Sequence, residues 1–103
     1  MGIKKAKKTK VGFNTIPVTW HKKDWSDDDV RMFGRYTPGT KRKIEIWNGQ
    51  KGKDLLDTII HEGLHAFEEA LGQDVPHPLI NLIALHLTQY LAPFVIGDED
   101  EDD

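Results

Sequence analysis

The 103-residue sequence contains no cysteine. That excludes disulfide cross-links and thiolate metal ligands, and it suits a reducing compartment. The N-terminus carries charge but no apolar segment behind it, so no secretory signal is expected. The longest apolar stretch, around residues 79–96, is broken by Asn81, His86, Thr88, Gln89 and Pro93, and reads as too interrupted to span a bilayer. Internal repeats are missing as well. These absences predict a soluble, cytoplasmic protein without membrane association.

Acidic residues are missing between positions 75 and 97. Charge is concentrated at the ends instead. Lys4, Lys5, Lys7, Lys8 and Lys10 make the N-terminus basic, and residues 98–103 are all Asp or Glu. Like-charge runs repel themselves and bury nothing. Three segments are therefore expected: a basic disordered arm over 1–10, a folded domain over 11–97 and an acidic disordered tail over 98–103. The domain holds nine basic and eleven acidic residues, a balance of −2. That is no whole-domain signature of nucleic-acid binding, although the Lys4–Lys10 arm could touch nucleic acid.

What remains is a patterned domain. Ile16, Val18 and Trp20 alternate with Pro17, Thr19 and His21, the period of a strand. Residues 22–30 read as a polar loop or short helical turn. Residues 31–36 and 41–47 flank Thr37-Pro38-Gly39-Thr40, where Pro-Gly suits the centre of a type II turn. A β-hairpin is expected there, with Ile44 and Ile46 on one face of its second strand. A helix follows over about 53–71, because Leu56, Ile59, Ile60, Gly63, Leu64, Phe67 and Leu71 recur at three- and four-residue steps. Gly72 suits its C-cap. Pro78 suits the first turn of a second helix, about 79–92, which should stop at Pro93. The fold class expected is α+β: a small antiparallel sheet of one strand plus a β-hairpin, with two helices packed on one face.

The first helix carries His61-Glu62-Gly63-Leu64-His65. Histidines four apart lie one turn apart on one face and can reach a single ion. Zinc held by them would lower the pKa of a water toward neutrality. Glu62, one step further round, is the candidate general base. Such a string arises by chance in well under about one in a hundred chains of this length, and a helix around it makes chance rarer still.

A catalytic zinc site needs a third protein ligand. A histidine six residues beyond the second is excluded, since Leu71 stands there. His86 is the first candidate, at the centre of a helical face with Leu79, Leu82, Ile83 and Tyr90. His77 and then Glu68 are the alternatives. Asp57, one turn before His61, could accept the outer ring proton of a ligand histidine. Gly63 would cost a helix about 1 kcal/mol and suggests close approach to the sheet. Trp20, Trp25 and Trp47 read as core and rim packing.

Residues 56–66, preceded by Lys43-Ile44-Glu45-Ile46-Trp47, resemble the minimal zincin domains of the ImmA/IrrE-type and SprT-like metallopeptidase-like families, whose short versions are often found in phage genomes. The similarity covers roughly 11–92 and is specific to the zincin superfamily. It implies a strand just before the active-site helix, lying along the cleft and pairing with substrate backbone. It also implies a third ligand on the following helix. With His86 there, the set would be three histidines, as in SprT-like sites. Tyr90 and His21 are the possible transition-state donors. The expected function is zinc-dependent hydrolysis of a peptide or protein substrate with His61, His65 and His86 as ligands and Glu62 as base. The alternative is a non-catalytic, zinc-stabilised binding or regulatory module.

Overall fold

The computed structural model describes residues 2–22, 25–27 and 30–97. The acidic tail over 98–103 lies outside the described residues. The architecture is α+β, with strands β1 (Lys8–Val11), β2 (Asn14–His21), β3 (Ser26–Asp27), β4 (Val30–Arg31), β5 (Gly34–Thr37) and β6 (Lys43–Trp47), then helices α1 (Gly52–Leu71) and α2 (His77–Val95). Four strands form one sheet in the order β1-β2-β6-β5, and β3 pairs with β4 in a separate ribbon.

The sheet is mixed, not antiparallel. β2 and β6 run parallel, with Val18 beside Ile44 and Trp20 beside Ile46. β1 and β5 flank them antiparallel. Part of the expected disordered arm is thus a strand: Lys8 to Val11 pairs with Pro17 to Asn14. Before it, the Lys7 carbonyl accepts from the Val18 amide at 2.9 Å and the Ala6 carbonyl from Trp20 Nε1 at 2.7 Å. Of the polar loop or helical turn expected over 22–30, residues 23, 24, 28 and 29 lie outside the described residues, while Ser26–Asp27 pairs with Val30–Arg31 as ribbon β3–β4. The Pro38-Gly39 turn is in place, with Gly39 at φ 97°, the left-handed value that the second central position needs.

Alternation along the strands sends Ile16, Ile44 and Ile46 to the face under α1, where they meet Val11, Leu55 and Ala66. The helix does not fill this face. Ile59, Ile60, Leu64 and Phe67 border an apolar cavity of about 380 Å³ against Val18 and Trp20 of β2. Gly63 also lines it, and a Cβ there would meet nothing within 4 Å. The close approach expected at Gly63 is therefore not made.

α1 ends at Gly72 (φ 67°), whose N–H bonds the Glu69 carbonyl at 3.2 Å while Gln73 N–H bonds that of Glu68 at 3.0 Å. This is a Schellman stop. α2 runs through Pro93 to Val95 instead of stopping before it. Its buried residues are Ile80, Ala84, Thr88 and Ala92, one small-residue stripe at four-residue steps that lets α2 lie close against α1. Leu79, Leu82 and Tyr90 consequently face outward and are exposed. By length and composition α2 is apolar enough to cross a membrane.

Candidate metal centre

His61 and His65 project from successive turns of α1, and their Nε2 atoms lie 3.2 Å apart. The tight Gly72 stop and the short connection after it fold the chain back, so the first residue of α2 reaches the same place. The His77 ring centroid is 5.1 Å from that of His61 and 5.3 Å from that of His65. One donor atom from each of the three lies within 4.8 Å of the others, and this group could hold a metal ion. His86 stands elsewhere. It is exposed on α2, on the side turned away from α1, because the Ala84, Thr88 and Ala92 stripe takes the inward position. The third imidazole at the cluster is His77, the second of the sequence candidates.

Electrostatics keep His61 short of protons. Burial lowers the His61 pKa, and the nearby His65 and His77 lower it further, against a smaller opposite effect from Asp57. Neutral imidazole is the form that offers a lone pair to a metal. His65 Nδ1 lies 2.8 Å from Glu68 Oε1, which orients the ring so that Nε2 points at His61. The other Glu68 oxygen accepts the Val75 N–H at 2.6 Å. Both Glu68 oxygens are thus engaged. Glu68 ties His65 to the connection that delivers His77, the orienting role expected of Asp57. These bonds hold its own pKa down, the Val75 amide first and His65 next.

Glu62 is buried, at 7 % exposure. Burial pushes its carboxyl up to about 7, against smaller lowering effects of His65 and of a backbone hydrogen bond from Tyr36. The helix comes this close to β5 only because residue 34 is glycine. A Cβ there would stand 2.6 Å from Thr58 Cγ2 and 3.0 Å from Glu62 Cγ and Oε2. Glu69, one residue past Glu68, accepts hydrogen bonds from Tyr36 Oη and from the Gly39 N–H, so the β5–β6 turn is pinned to the same helix. Gln50 secures the other end. It donates to the Phe33 and Trp47 carbonyls, both at 3.0 Å, and accepts from Thr58 Oγ1 at 2.5 Å.

Gly34, His61 and Glu62 line two grooves of about 860 Å³ each. One runs past Phe33, Trp47 and Asp57, the other past Tyr36, His65 and His77. The cleft therefore follows β5, not the strand immediately before α1. β6 is hydrogen-bonded on both sides, and β5 is the edge of the sheet. Neither proposed donor reaches the cleft. Tyr90 is exposed on α2, and His21 bonds Glu45 Oε2 at 2.8 Å and stacks on Trp25. Glu45 is itself buried and also accepts from Arg35 Nε at 3.0 Å. Gly34 and Tyr36 were not legible as site residues. Their one sequence signal is a glycine placed at the start of a strand, where it weakens the strand unless something approaches closely.

Comparison with protein-family models, with curated proteins and with solved structures finds no match to this chain.

Proposed function

We propose that this chain is a zinc-dependent peptide hydrolase in which His61, His65 and His77 hold the ion and Glu62 is the general base. The observation that carries the proposal is the convergence of three imidazoles beside a buried carboxylate at the meeting point of two grooves. The donor set fits zinc. Ligands at 2.0–2.1 Å on a tetrahedral ion stand about 3.3 Å apart, and His61 and His65 hold their Nε2 atoms at 3.2 Å.

Zinc held by these residues would supply a water that ionises near neutral pH. The protein's own part is proton transfer and orientation. A carboxyl near 7 suits a group that takes a proton and returns it to a leaving amine. The Tyr36 amide holds the Glu62 carboxylate in place. Because the Phe33 carbonyl bonds the Trp47 amide, the backbones of Gly34 and Tyr36 are the ones that face outward from β5. An extended peptide laid along this edge would pass directly over Glu62 and the imidazoles.

The test has two stages. Elemental analysis of the purified chain should give about one zinc, lost in His77→Ala and kept in His86→Ala. Glu62→Gln should then keep the zinc and abolish cleavage of an unstructured protein substrate. Metal retained in His77→Ala and lost in His86→Ala would overturn the ligand set. Cleavage undiminished in Glu62→Gln would overturn the base, and zinc binding without any cleavage would leave the binding module as the better reading.

A further inference from the structure

We propose that the apolar cavity between α1 and the sheet is a binding site for a dissolved medium-chain carboxylate, with the aliphatic tail inside and the anionic end at the rim. This inference is independent of the metal centre.

The cavity is too large to be a packing fault. Protein interiors reach the density of organic crystals, and their voids seldom exceed a water molecule. Here about 380 Å³ stays open, within the roughly 300–1,000 Å³ of small-molecule sites. Water suits it poorly, since a buried water makes about three hydrogen bonds. Every residue around the cavity is apolar or glycine except Lys4 and Thr9. The Trp20 indole N–H is already given to the Ala6 carbonyl at 2.7 Å. Such a lining favours an apolar occupant.

The wall across from α1 is held in place without one. Residues 3–7 lie along it as a strap. Ile3 packs on both apolar clusters of the core. The Lys5 ammonium donates to Asn48 Oδ1, and the Lys7 carbonyl accepts from the Val18 amide at 2.9 Å. α2 adds Leu87 and Leu91. A site already formed in the free protein loses little freedom when a ligand enters.

Charge at the rim selects the polar end of the ligand. Lys4 is the one charged residue of the lining, and it is exposed. Among the described residues it has no ion-pair partner. The Lys5 ammonium lies 5.7 Å from the centroid of the Trp20 ring, which is part of the wall. Two cations and no lining acid favour a negative group over a neutral or positive one. Thr9 belongs to the same N-terminal segment and offers a hydroxyl donor. Both polar lining residues thus come from one segment, which leaves the rest of the cavity to the tail. At the roughly 30 Å³ that a water molecule fills in the liquid, the space holds about a dozen non-hydrogen atoms, the size of decanoate.

The experiment is isothermal titration calorimetry of the full chain with decanoate below its micelle concentration, beside decanol, acetate and phosphatidylserine vesicles. Decanoate should bind once per chain and decanol about 5-fold more weakly. Acetate should not bind, which separates the cavity from any carboxylate held by a metal. Gly63→Leu fills the space from α1, where a Cβ meets nothing within 4 Å, and Ala6→Leu fills it from the strap. Each should keep the parent's circular dichroism spectrum and weaken decanoate binding by about 10-fold or more. Lys4→Glu should weaken decanoate by about 5-fold and leave decanol unchanged. A folded parent that binds no decanoate overturns the proposal, whether or not vesicles capture it. So does undiminished binding in either filled variant that folds. Equal affinity for decanoate and decanol, unmoved by Lys4→Glu, overturns the anionic end.

Discussion

Glu62 sits where a carboxylate costs most, and that cost depends on pH. In the metal-free protein its carboxyl is held at about 7, above the 4.5 of an exposed glutamate. The folded state therefore keeps its proton over a range where the unfolded chain has lost it. Stability from this group is whole below about pH 4, falls as the pH rises from about 4 to 7, and is flat above. The full loss is at most about 3 kcal/mol. Glu62→Gln escapes the loss and can still accept the Tyr36 N–H. Chemical denaturation in chelator should find the variant more stable than the parent at pH 8 and equal to it at pH 4. Parallel profiles would show that the carboxyl is not buried as described. Gly34 is the companion case. Gly34→Ala puts a methyl group against Thr58 and Glu62, so it should lower stability by about 1–3 kcal/mol. On the proposed function it should also end hydrolysis while zinc content, set by the imidazoles, stays near that of the parent.

At the scale of elements, α1 carries a fault that substitution can repair. Gly63 is interior to the helix, and the space beside it is open. Gly63→Ala should stabilise by about 1 kcal/mol, read as a melting temperature higher by about 4–8 °C. An unchanged or lower melt would mean that the cavity wall there is tighter than its geometry indicates. The existence of both helices and of the Pro38-Gly39 turn was legible in the sequence because caps, turns and apolar periods are local. The meeting of His61 and His65 on one face of α1 was legible for the same reason. The phase of α2 was not. Its leucines are distributed around the helix, and close packing on α1 selected the small residues instead, which took His86 away from the cluster. The parallel partnership of β2 and β6 was hidden too, since alternation says which face a residue takes but not which way its neighbour runs. Strand β1 lay inside a lysine run, where Val11 alone is buried.

For the molecule as a whole, the imidazole cluster fastens α2 to α1 at the end where α2 begins. Zinc binding to the folded state alone would stabilise it in proportion to the logarithm of free zinc, about 4 kcal/mol at a thousand-fold excess over the dissociation constant. Scanning calorimetry with and without a zinc chelator should show a clear drop in melting temperature on metal removal. His77→Ala should behave like the chelated parent and respond little to added zinc. A parent whose melt ignores verified metal removal would place the ion outside the folding unit.

The three imidazoles come from residues 61–77, a contiguous stretch that needs one helical turn, one stop and one short connection to assemble. What surrounds the Glu62 carboxylate comes from residues 34 and 36, across a sheet whose central parallel pair cannot zip up from a hairpin. Contacts close in sequence form early, and distant pairings form slowly. On the proposed function, metal capture and the burial of the base would thus be separable in time during folding. A growing chain could acquire its ion from the helical hairpin while the carboxylate beside it was still exposed to water. If the proposed hydrolysis holds, reactivity would then switch on only when the edge strand closes over α1, a delay that would keep the half-made chain from attacking its own unfolded backbone.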